Sequence, residues 1–111
     1  MATIIVDGNV IRQDSEGYLR DMHDWSSVVA EQLAQQEGLQ LQAAHWEVIE
    51  VLRAFYHTYE HSPAMRPLVK AVAQQLGPDK GKSMYLMMLF PGSPAKLASK
   101  IAGLPKPTNC L

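Results

Sequence analysis

The sequence predicts an α+β fold that is mainly α, an orthogonal helical bundle of about five helices with a small N-terminal β-hairpin. Short β-prone runs at 3–6 and 9–12 flank Asp7-Gly8, a dipeptide typical of two-residue hairpin turns. From about residue 25 onward, apolar residues recur at three- and four-residue steps, which is the spacing of amphipathic helices. At 111 residues, the chain has the length of one domain with a buried core.

Helix-start and helix-stop residues divide the second part of the chain into five segments. The predicted helices are 25–37 with Asp24 as N-cap, 43–61, 63–76, 80–90, and a last one from Pro94 to a stop at Gly103. The second helix has the broadest apolar stripe, so we expect it to be the centre of the bundle. Arg53 falls within that stripe and therefore needs a partner or a wet cleft.

The chain ends in an arm that cannot continue as a helix. Pro105 and Pro107 each lack an N–H and push the preceding residue toward extended geometry. We therefore expect a single domain at 1–103 and a mobile arm at 104–111. The only cysteine, Cys110, stands next to the last residue.

A lone thiol near a chain end has two interpretations. Free cysteines are usually buried, whereas chain ends are usually exposed, so Cys110 is placed where a reactive thiol would be accessible. The alternative is a stray terminal cysteine without a role, and spacing alone does not decide between them.

Composition excludes several classes of function. A net charge of −1 removes the broad attraction that drives nucleic-acid binding. A single cysteine forms no internal disulfide, as suits a reducing cytosol, and the apolar run at 84–90 is too short to span a bilayer. These features predict a cytoplasmic protein with no membrane association.

Two further patterns suggest other sites. The second and third helices form a helix-turn-helix-like element, with Arg66 and Lys70 on one side of the third helix; a DNA-binding regulator and a plain bundle corner both fit. His57 and His61 have the spacing of two metal ligands on one helix, but no third ligand accompanies them, and we predict no metal.

The C-terminal residues resemble a known family. The run Lys100-Ile101-Ala102-Gly103-Leu104-Pro105-Lys106-Pro107-Thr108 with Cys110, together with Asp24-Trp25, His45-Trp46-Glu47 and Pro63-Ala64-Met65-Arg66, resembles the DsrC/TusE family across essentially the whole chain. Family members that work with dissimilatory sulfite reductase carry a second cysteine, at the position of Ser99 here. A serine cannot form a disulfide or trisulfide, so the chain looks more like the single-cysteine TusE branch.

The resemblance implies a function and its residues. Cys110 would carry sulfur as a persulfide, which makes the chain a sulfurtransferase without a cofactor. Its partners would be a TusBCD-like donor complex and a tRNA 2-thiouridylase with bound tRNA, for 2-thiolation of wobble uridine. Supporting residues would be Lys100, Gly103, Pro105, Lys106 and Pro107, with Arg66 and Lys70 as a basic surface. A structural adaptor and a DsrC-type partner of a sulfite reductase remain alternatives.

Overall fold

The computed structural model describes residues 2–108 and confirms the predicted fold: within this range the chain forms one antiparallel hairpin and five α-helices. The elements are β1 (Thr3–Val6), β2 (Asn9–Arg12), a 3-10 turn (Met22–Asp24), α1 (Ser27–Gln36), α2 (Ala43–Tyr59), α3 (Met65–Leu76), α4 (Ser83–Leu89) and α5 (Pro94–Ile101).

The hairpin has the turn that its sequence predicts. Asp7 and Gly8 both have positive φ, at 52° and 81°, as a two-residue turn between twisted strands requires. Ile4 pairs with Ile11, and both side chains are buried against the helices. The hairpin therefore contributes one apolar face to the core, and β1 packs on α1.

The last helix, α5, is the centre of the bundle, rather than the predicted second helix. It packs against α1, α2, α3 and α4, whereas the main helical neighbours of α2 are α3 and α5. Small side chains make this possible, since Ala95, Ala98 and Ala102 are fully buried and allow other helices to approach closely. The helix that leads into the cysteine-bearing segment is thus fixed on several sides.

Two predicted helix ends are wrong, each for a local reason. The first helix starts at Ser27, because Ser26 is its N-cap and its hydroxyl accepts a hydrogen bond from the Val29 N–H at 3.3 Å. The second helix ends at Tyr59, because Glu60 takes a left-handed conformation with φ of 59°. His61 therefore lies beyond the helix that carries His57, and the two do not have the geometry of an i, i+4 pair.

The third and fourth helices start later than predicted. Pro63 lies before α3, which begins at Met65. The amides of Lys80 and Gly81 both donate to the Gly77 carbonyl, so these residues form a turn and α4 begins only at Ser83. Within the described part of the chain, no helix is long and apolar enough to cross a bilayer.

Candidate functional site at the base of the C-terminal segment

The last turn of α5 ends in the motif that Gly103 predicts. Gly103 has φ of 75° and its N–H donates to the Lys100 carbonyl, while the Leu104 N–H donates to the Ser99 carbonyl at 2.9 Å. This pair of bonds is a Schellman motif, which stops the helix and reverses the chain. The residues that follow leave the helix in one defined direction.

Two side chains from other elements hold the end of α5. The Trp25 indole Nε1–H donates to the Ile101 carbonyl at 2.9 Å, and the Arg53 guanidinium Nη1–H donates to the Ala102 carbonyl at 2.7 Å. The guanidinium also stacks on the Trp25 ring, 3.8 Å from its centroid. We call Trp25 and Arg53 the α5 clamp. It satisfies two carbonyls that a helix end otherwise leaves without partners.

Gly103 fits beneath the clamp because it has no side chain. A Cβ at residue 103 would overlap the indole atoms of Trp25, including Cδ1. Residue 103 must therefore be glycine for two separate reasons, its positive φ and the close approach of Trp25.

The first part of the predicted arm packs against the body. Leu104 is only 2% exposed and belongs to the hydrophobic core. The buried Ser62 Oγ–H donates to the Pro105 carbonyl at 2.5 Å, and Pro107 is also buried. The mobile arm predicted for 104–111 stays a prediction. Cys110 lies outside the described residues.

The two predicted supporting lysines each pair with a carboxylate. Lys106 Nζ lies 2.8 Å from Glu16 Oε2, and Lys100 Nζ lies 3.3 Å from Glu37 Oε2. Lys100 also lies 5.2 Å from the centroid of the Tyr18 ring. Lys106 thus connects the C-terminal segment to the connection after β2, and Lys100 connects α5 to the end of α1.

The predicted basic surface is separate from these contacts. Arg66 and Lys70 are exposed on α3, and neither side chain forms a hydrogen bond or ion pair with another residue between 2 and 108. Lys70 lines a groove of about 500 Å³ between α2 and α3. The structure does not bring this pair together with the α5 clamp.

Ser99 is fully buried in α5. Its hydroxyl oxygen has no hydrogen-bond partner among the described residues. A buried hydroxyl without a partner is costly, whereas a thiol behaves as a small hydrophobe. The site around residue 99 therefore suits a cysteine side chain better than a serine.

A cleft of about 730 Å³ opens beside the clamp, and Leu104 forms part of its wall. It is lined by Met22, His23, Trp25, Arg53, Tyr56, His57, Glu60 and Leu104. Burial lowers the pKa of Arg53 from its usual value, but the guanidinium still has a carbonyl and a ring as partners. The partner that the sequence required for Arg53 is thus confirmed, and the side chain also borders this cleft.

Three of the residues that build this site are not identifiable as a group from the sequence. Trp25 precedes α1, Arg53 lies on α2 and Ser62 lies in the α2–α3 connection, and only the fold brings them to the C-terminal segment. The one signal was the charge of Arg53 within an apolar stripe. No group of three or more potential metal ligands occurs between residues 2 and 108.

The chain is similar to the proteins of one family over nearly its whole length. The model of the DsrC-like protein family matches residues 5–111. Sulfurtransferase TusE of Yersinia pestis is 53% identical over 105 residues, which cover 95% of this chain and 96% of that protein. Sulfurtransferase TusE of Photorhabdus laumondii is 50% identical over the full length of both chains.

Solved structures show the same fold. The NMR structure of Allochromatium vinosum DsrC has a TM-score of 0.89 at 50% identity, covering 98% of this chain and 97% of that one. The crystal structure of the oxidised gamma-subunit of dissimilatory sulfite reductase, DsrC from Archaeoglobus fulgidus, has a TM-score of 0.86 at 38% identity, covering 99% and 100%.

Proposed function

Since the chain belongs to the DsrC-like protein family, we propose that it is a sulfurtransferase that carries sulfur as a persulfide on Cys110. The observation that carries this proposal is the family match, which extends to residue 111 and therefore includes the only cysteine. Relatives about half identical over their full length bear the name sulfurtransferase.

The chemistry needs one thiolate and a donor persulfide. The Cys110 thiolate attacks the terminal sulfur of the donor Cys–S–SH, the donor S–S bond breaks, and the donor thiolate leaves with the bonding electron pair. One S–S bond forms and one breaks, so no external oxidant or reductant is consumed. The product on this chain is Cys110–S–SH, whose terminal sulfur is then available to an acceptor.

Activation of the thiol is expected to come largely from a partner protein. Lys100 and Lys106 are the nearest cations in sequence, but each forms an ion pair with a glutamate. A basic group in the partner would favour the thiolate.

The proposed route is a relay in the cytoplasm. Sulfur arrives from a TusBCD-like complex, passes to Cys110, and leaves to a tRNA 2-thiouridylase with bound tRNA, which thiolates the wobble uridine. With a net charge of −1, the carrier itself is expected to make little contact with the RNA. The resemblance implies that the sulfite-reductase branch of the family uses a second cysteine, and the residue at that position here is Ser99.

The relay is tested by reconstitution from a cysteine desulfurase, the donor complex, the thiouridylase and unmodified tRNA. Mass spectrometry of the digested nucleosides measures 2-thiouridine. We expect it to form with the wild-type chain and to be lost with Cys110→Ser. Equal thiolation with the serine variant would contradict the proposal.

A further inference from the structure

We propose that Trp25 and Arg53, the α5 clamp, are positioning residues that aim the Cys110-bearing segment at the active sites of partner proteins. This inference rests on the proposed function, because the direction of the segment matters only if Cys110 must reach another protein.

The clamp fixes the end of α5 from two sides. Trp25 comes from the loop before α1 and Arg53 from the middle of α2, and they bind the carbonyls of consecutive residues, Ile101 and Ala102. Two donors on two adjacent carbonyls restrict both rotation and tilt of the last helical turn. Water, the usual partner of such carbonyls, would restrict neither.

The two clamp residues depend on each other. The guanidinium lies over the indole at 3.8 Å, so the ring holds the planar group in line with the Ala102 carbonyl. No carboxylate lies within ion-pair distance of Arg53 in the part of the chain that the structure describes. Burying a cation without a carboxylate partner costs free energy. For Arg53 the Trp25 ring and the Ala102 carbonyl offset part of that cost.

The direction set by the clamp is passed on along the chain. Gly103 turns directly under Trp25, and the Ser62 hydroxyl then holds the carbonyl of Pro105. Cys110 comes five positions after Pro105, a reach of at most about 17 Å if the chain were fully extended. Reacting atoms must come within about 3–3.5 Å of each other, so a change in the direction in which Gly103 and Leu104 leave α5 would reduce the share of productive encounters.

The test separates positioning from folding with substitutions that keep shape. Trp25→Phe keeps a ring but removes the N–H donor, and Arg53→Lys keeps the charge but removes the planar fork. Arg12→Lys is the matched control, since Arg12 is exposed and its side chain has no hydrogen bond or ion pair with the other described residues. Thermal unfolding of each variant fixes an assay temperature at which all are folded.

Two rates are then compared for each variant. The second-order rate constant for loading of Cys110 by the donor complex should fall about tenfold in both clamp variants and stay unchanged in Arg12→Lys. Alkylation of Cys110 by iodoacetamide, which needs no aimed approach, should stay at the wild-type rate in all three.

Wild-type loading rates in folded Trp25→Phe and Arg53→Lys would overturn the positioning role while leaving the carrier function intact. A parallel fall in loading and in alkylation would also overturn it, because the thiol itself would then be altered. If wild-type protein is not loaded at all, the proposed function fails, and that result is distinct from both.

Discussion

The indole of Trp25 lies so close to the Cα of Gly103 that no side chain fits at residue 103. The contact joins the loop before α1 to the turn after α5, and it lies where the Trp25 N–H and the Arg53 guanidinium hold the helix end. The packed body of the fold therefore sets the direction in which the cysteine-bearing segment leaves α5.

Gly103→Ala is expected to destabilise the fold by about 2–4 kcal/mol, from the positive φ and the overlap with Trp25 together. Gly38→Ala is the matched control. Gly38 has the same φ of 75°, but a Cβ there would meet no atom within 4 Å, so only the conformational cost of about 1–2 kcal/mol applies. Urea unfolding measures both. Equal losses of stability would contradict the close contact with Trp25.

Ser99→Ala is expected to keep or raise the free energy of unfolding, because it removes a buried hydroxyl without a partner in the described structure. Ser62→Ala is expected to lower the free energy of unfolding. It removes the donor to the Pro105 carbonyl and should cost about 1 kcal/mol. Thermal unfolding of the two alanine variants makes the comparison, and a larger loss for Ser99→Ala would show that its hydroxyl is satisfied.

The double variant Arg66→Ala with Lys70→Ala tests the DNA-binding alternative. Both side chains are exposed and without ion pairs among residues 2–108, so the fold should be unaffected. If the chain is a sulfur carrier, loading of Cys110 from a small-molecule persulfide should equal that of the wild type. Tight binding of wild-type protein to duplex DNA, falling steeply with salt and lost in the double variant, would instead favour a regulator.

Protonation of Asp21 is expected to change the stability of the turn that precedes Trp25. The backbone N–H of His23, and then the His23 side chain, lower the pKa of Asp21 below its usual value of 3.8. The ionised carboxylate thus stabilises the turn above that value, and the contribution is lost as pH falls through the lower, folded-state pKa. An NMR titration of the Asp21 carboxyl carbon checks the direction. A midpoint at or above 3.8 would contradict it.

The local elements follow from the sequence because their signals are local. Asp7-Gly8 predicts its turn, and Pro94 and Gly103 predict the start and stop of α5, since each depends on the conformation of one or two residues. Helix ends were less predictable where neighbouring groups compete. Asp24 looks like an N-cap, yet it ends a 3-10 turn, and Ser26 caps α1 instead.

The site could be predicted only in part. The importance of Cys110 and Gly103 comes from the C-terminal run, whereas the contacts of Trp25, Arg53 and Ser62 with that run connect residues 43 to 76 positions apart. Such contacts depend on how the helices pack, which hydrophobic spacing does not specify. The central position of α5 was also not predictable, because its small residues matter only through the neighbouring helices that they allow to pack closely.

The most direct test of the central claim is the intact mass of the protein after incubation with a cysteine desulfurase, cysteine and the donor complex. The account predicts a gain of one sulfur atom that is removed by reductant and absent from Cys110→Ser. An unchanged mass, with the upstream proteins shown to carry sulfur themselves, would contradict the assignment of Cys110 as the persulfide carrier.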